Sequence, residues 1–172
     1  MPSPIFRVLL VAPESGLKLG GAQVQAIQRS GLTVTPVLGE ITMPQLQREL
    51  EAGQYDCLWI AAHGNPEGFL LADGILRKEE FVPMVGKRFR LVVLHSCESL
   101  EVGSMLQKQT PAAVVVTQAA LPDRTAFITA ANFARALAAH GDPYRAFQES
   151  HPGGAHIYLY LQGDDAFLAA AA

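Results

Sequence analysis

The sequence predicts an α/β fold, a three-layer α/β/α arrangement of about six mostly parallel strands with a small added hairpin. Three observations lead there. Short apolar runs alternate with stretches of helical periodicity along all 172 residues. Several of these runs are continuous Val, Ile and Leu without polar alternation, as parallel strands covered on both faces require. Strands that alternate with helices also join through right-handed crossovers into an open, doubly wound sheet. A chain of this length suits one domain, residues 1–172, and buries roughly 70% of its unfolded surface.

In chain order, the first strand is expected over Ile5–Ala12. Its apolar stretch Val8-Leu9-Leu10-Val11-Ala12 has only Arg7 before it and Pro13 after it, and is too short for a membrane span. It therefore reads as a buried strand, and a soluble cytoplasmic protein is expected. A helix follows around Leu19–Ser30, then a strand over Thr33–Leu38. The next helix, Met43–Ala52, carries an N-cap at Thr42, a proline in its first turn at Pro44 and a stop at Gly53. A third strand spans Tyr55–Ala62. The apolar stretch Phe69 to Leu76 is interrupted by Asp73-Gly74, a hairpin signal. Helices at Lys78–Val85, Leu100–Lys108, Asp123–His140 and Pro143–Ser150 are then interleaved with strands at Phe89–Leu94, Ala112–Gln118 and His156–Leu161. Gly141 closes the longest helix.

Composition narrows the function. Hydrophobic residues make up 49% of the chain and charged residues 17%, which excludes a disordered or solvating protein. Thirteen basic residues face sixteen acidic ones, and no basic run exceeds Lys87-Arg88, so nucleic acid is not an expected partner. The two cysteines, Cys57 and Cys97, cannot form a disulfide framework or a four-thiolate zinc site.

In doubly wound sheets, ligands bind beyond the carboxyl ends of strands. After the first strand, the loop Pro13 to Gly21 lacks both Gly-Lys-Ser/Thr and Gly-x-Gly-x-x-Gly spacing, so it reads as a turn, not a phosphate cradle. The third strand ends in His63-Gly64, and the fourth in His95-Ser96-Cys97-Glu98-Ser99. On neighbouring strands these ends face one another, as a thiol nucleophile needs: an imidazole in reach activates the thiol or protonates the leaving amine. Gly64 lets the backbone approach a substrate carbonyl, and the Gly64 and Cys97 amides are candidates for an oxyanion hole. Cys57 lies inside a strand beside Leu58, Trp59 and Ile60 and reads as core. His140 and His151 read as structural. His95 is the closest rival to His63, yet in an extended chain it needs an unusual turn to reach the same sulfur.

At these residues the sequence resembles the caspase-like cysteine peptidases, in particular the bacterial CHAT domain. The resemblance rests on Leu58 to Gly64, on Leu70-Leu71-Ala72-Asp73-Gly74, on Leu91 to Glu98, and continues through Ala113 to Gln118 and the helix ending Phe133 to Leu137. It covers roughly Tyr55 to Leu161. It implies a caspase-like sandwich and a cytoplasmic cysteine endopeptidase with His63 and Cys97 as its dyad, needing no metal or organic cofactor. The chain departs from the family at His95-Ser96, where Ser-Ala is usual, and at Ala119 to Asp123, where a tryptophan-containing motif is common.

The resemblance further implies a protein or peptide substrate, no membrane, and a role in regulated bacterial signalling or defence. Relatives usually follow repeats or sensor domains, so a separate activating or sensor protein is the expected partner. Asp123, at the family's acidic position, is the candidate for holding a basic substrate side chain; a helix N-cap is its other reading. The alternative to an enzyme is a catalytically silent scaffold of the same fold. An unrelated receiver-like domain fits less well, because Glu14 stands alone after the first strand.

Overall fold

The computed structural model describes residues 6–13, 20–118, 123–150 and 158–162. Six strands form one sheet in the order β2-β1-β3-β7-β8-β9: β2 is Thr33–Gly39, β1 Arg7–Pro13, β3 Cys57–Ala61, β7 Leu91–His95, β8 Ala113–Thr117 and β9 Tyr158–Leu161. All neighbours run parallel except β9, which returns antiparallel to β8. Pro36 lies inside β2, where it pairs with Leu10, and β2 is accordingly an edge strand.

The continuous apolar strands are explained by a core on each face. Leu9, Val11, Leu58, Ile60, Val92, Leu94, Val114 and Val116 point to one side. There they meet α2 (Met43–Ala52), α3 (Lys78–Val85) and α4 (Leu100–Gln109). Val8, Leu10, Cys57, Trp59, Leu91, Val93, Ala113 and Val115 point to the other. They meet α1 (Gly20–Gln28), α5 (Asp123–His140) and α6 (Pro143–Ser150). This is the expected three-layer α/β/α sandwich.

The hairpin signal also holds. β4 (Gly64–Asn65), β5 (Gly68–Leu71) and β6 (Gly74–Arg77) form a small antiparallel sheet directly after β3. Positive φ falls on Gly74 at +127°, and Glu98 is the only non-glycine with positive φ among the described residues, so Asp73 has another job. Its carboxylate accepts from the Met43 amide at 3.1 Å, and the Ala72 amide donates to Ile41 O at 2.8 Å, tying the hairpin tip to the start of α2. Thr42 caps α2 as expected, its Oγ1 accepting from Gln45 N.

Strand ends differ from expectation by a residue or two, and one difference matters. β3 stops at Ala61 and β7 runs on through His95, which is therefore a strand residue whose face is set by alternation. Residues 14–19, 119–122 and 151–157 lie outside the described residues.

Candidate active site

The site is placed by register. Ala61 pairs with His95 across the parallel β3 and β7, so the chain leaves both strands at one level. His63 and Cys97 each come two residues later, and both are half-buried. The His63 carbonyl accepts from Leu70 N at 2.9 Å, which anchors its backbone to the hairpin. Asn65 Oδ1 accepts from the Glu67 and Gly68 amides, turning the chain back immediately after Gly64.

The two strand ends also touch. A Cβ on Gly64 would lie 2.0 Å from Ser96 Oγ and 3.0 Å from Gly68 O. Glycine is thus required where the backbone after His63 packs on the residue before Cys97. Ser96 is buried, and its hydroxyl has no hydrogen-bond partner.

The turn that carries Cys97 is held by residues that sequence reasoning missed. Thr117 Oγ1 donates to Ser96 O, and Thr117 N donates to Ser99 Oγ at 2.9 Å. Ser99 Oγ donates in turn to Leu94 O at 3.0 Å. Ser99 precedes α4 without capping it by a side-chain bond, because its hydroxyl is committed to this lattice. Glu98 is exposed and sits at φ +52°, in the left-handed region, which makes the turn tight. α4 begins at Leu100, immediately after the Cys97 turn.

His95 points the other way. Alternation along β7 sends it to the Trp59 side of the sheet, where it is 5% exposed. Its Nε2 lies 2.7 Å from Tyr158 Oη and its Nδ1 lies 3.0 Å from Gln23 Nε2. Burial lowers its pKa to about 4, so the ring is neutral. Beneath it a cavity of about 20 Å³, bordered by Trp59, Thr129 and Phe133, has room for roughly one water and cannot accept a substrate side chain.

Residues 6–152 match the family model of the CHAT domain. The chain belongs to the CHAT-domain family. CHAT domains are caspase-like and often cysteine peptidases. No curated protein matches the sequence. In this CHAT domain the departure at His95-Ser96 occupies definite places, His95 in a hydrogen-bonded core position and Ser96 against Gly64, whereas the other, at Ala119 to Asp123, falls outside the described residues but for the Asp123 backbone.

The remaining candidates fall as follows. Cys57 is fully buried in β3, and burial, with the nearby Asp56 charge second, raises its thiol pKa. His140 bonds Glu149 Oε2 at 2.6 Å beside the Gly141 stop, a structural role as expected. Asp123 is the first residue of α5, but its side chain lies outside the described residues, as does His151. No group of three or more His, Cys, Asp or Glu among the described residues could hold a metal ion. No helix there is long and apolar enough to cross a membrane.

The signal for the buried pair was present in the sequence. A histidine at the end of a continuous apolar run and a tyrosine in another buried strand each need a polar partner, and on neighbouring elements each can supply the other's.

Proposed function

We propose that this chain is a cysteine endopeptidase in which Cys97 is the nucleophile and His63 the acid and base. The observation that carries the reading is the register of β3 and β7, which sends His63 and Cys97 out of adjacent strands at one level. The Cys97 thiolate attacks the scissile carbonyl, and the Gly64 and Cys97 amides receive the oxyanion. His63 protonates the leaving amine, and a thioester forms on Cys97. His63 then takes a proton from water, whose oxygen attacks the thioester carbonyl; the acid product departs and Cys97 leaves as the thiolate beside protonated His63, as at the start.

The substrate is a protein or peptide, cut after Arg or Lys held by Asp123, in a regulated signalling or defence process that engages a separate activating protein. A carboxylate at the start of α5 would pair a guanidinium through charge-assisted bonds, so a peptide library should select basic residues and Asp123→Asn should reduce that selection. A library preference for Asp or for large apolar residues would remove the basic-substrate assignment.

The test is intact-mass analysis after incubation with a peptidyl acyloxymethyl ketone. One adduct is expected at Cys97, lost in His63→Ala. Labelling at Cys57 alone, or none on folded protein with its activating partner supplied, would favour a silent binding module.

A further inference from the structure

We propose that Leu70 and Ile75, on the outer face of the small hairpin, form an apolar subsite for the substrate segment that follows the scissile bond. The inference rests on the peptidase reading and adds to it the chemistry of the leaving half of the substrate.

The register of the small sheet places this strip. Gly64 pairs with Phe69, and Leu70 pairs with Ile75. One step before Gly64, the His63 carbonyl accepts from the Leu70 amide at 2.9 Å, so the ladder reaches back to His63. His63, Leu70 and Ile75 are therefore successive cross-strand neighbours, and side chains directly opposite one another in antiparallel strands share a face. Burial identifies the same face independently. Phe69, Leu71 and Leu76 are buried in the core, whereas Leu70 is 51% and Ile75 45% exposed. The row of three spans roughly 10 Å, two strand spacings.

Single exposed apolar residues need no explanation. The other large ones among the described residues, Leu38, Ile128 and Tyr144, stand apart on β2, α5 and α6. Leu70 and Ile75 differ because they adjoin each other and continue the row that His63 begins.

That continuity selects the occupant. After attack, the acyl half of the substrate is held on Cys97 as the thioester, and the amine half departs with the proton that His63 gives it. β4 is the strand that packs on the Cys97 turn, through Gly64 and Ser96, and β5 and β6 follow it in order. A strip that starts at His63 and leads away across β5 and β6 lies on the side of the leaving segment. An extended segment advances about 3.3 Å per residue, so the row reaches the first three residues after the cut. The occupant is an apolar side chain, such as Leu, Ile or Val, at one of those three positions.

The experiment compares kcat/KM on peptides that share the residue selected before the cut and carry Leu or Ser at each of the three positions after it, with the activating partner supplied. The native protein should prefer Leu over Ser about tenfold at one position or more. Leu70→Thr and Ile75→Thr keep a β-branched residue in the strand and should bring that ratio close to one. Leu70→Lys, at the same exposed position, should move the preference to Asp or Glu.

The acyloxymethyl ketone carries no peptide beyond the carbonyl that traps the sulfur, so it tests the dyad without this strip. Cys97 labelling and cleavage with a native Leu-to-Ser ratio near one would overturn the subsite and leave the peptidase reading standing. No labelling and no cleavage would overturn both. Threonine variants that melt lower yet keep the native ratio would make the pair a hairpin clasp only. Equal losses on Leu and Ser peptides would assign the strip to the activating protein, and either of these last two results overturns the proposal.

Discussion

Cys97→Ala is expected to abolish peptide hydrolysis with the fold intact, because the half-buried side chain leaves little cavity behind. His63→Ala should cost at least ~100-fold in kcat/KM, the usual scale for a lost acid/base. His95→Ala should cost much less, since that ring faces the core; equal losses at the two positions would reverse the choice of base. The contact between Ser96 and Gly64 gives a second residue-scale prediction. Ser96→Ala removes a buried hydroxyl that has no partner and should raise stability by up to about 1 kcal/mol. Gly64→Ala should destabilise, and adding Ser96→Ala should recover part of the loss, because the blocking atom is Ser96 Oγ. Strictly additive effects in urea melts would place the obstruction at Gly68 O. His63 and Cys97 were legible because polar, reactive residues at the ends of apolar runs stand out. Gln23, Ser99 and Thr117 were not, since their partners lie on other elements and only the register brings them together.

Element boundaries were most legible where caps write them. α2, α3, α5 and α6 have the bounds expected from Thr42, Pro44, Gly53 and Gly141 and from helical periodicity. Strand ends were less so, because an apolar run does not show where its hydrogen-bonded ladder stops. The one-residue extension of β7 is the case with consequences, since it decides which side of the sheet His95 faces. The packing of α4 on β8 was illegible altogether. A Cβ on Gly103, in the middle of α4, would meet Val116 Cγ1 at 2.0 Å, so the helix lies against the strand only because that position has no side chain. Gly103→Ala sets a helix-propensity gain of about 1 kcal/mol against an overpacking cost of about 1–3 kcal/mol. Overpacking should win, because Val116 is itself fully buried and has nowhere to move. The variant should melt below the native protein, and because α4 follows the Cys97 turn directly, peptidase activity should fall with it. A higher melting temperature would mean that α4 can lift from the sheet without cost.

The sandwich as a whole was legible because both sheet faces are covered, and that same burial sets how stability responds to pH. His95 has an ordinary pKa near 6.5 when unfolded and about 4 in the fold, where burial disfavours its charged form. The unfolded chain therefore binds the extra proton first as the solution is acidified. Stability should begin to fall below about pH 6.5 and continue down to about pH 4, by roughly 3 kcal/mol for a shift of this size. At the alkaline end the sign reverses. Burial raises the Cys57 thiol and the Tyr158 phenol, and pushes the Tyr160 phenol up to about 12. The unfolded chain releases those protons first, so stability should decline again above about pH 9. Glu149, exposed and bonded first to His140, is held below the ordinary carboxylate range and adds only a screened surface contribution. The expected profile is a plateau between roughly pH 7 and 9 with a flank on each side. Urea unfolding at closely spaced pH values measures it, and His95→Leu separates the causes. That variant should lose most of the slope between pH 4 and 6.5 while keeping the alkaline flank. An acid slope unchanged in His95→Leu would assign the acid sensitivity to carboxylates and leave the neutral, buried His95 without a thermodynamic signature.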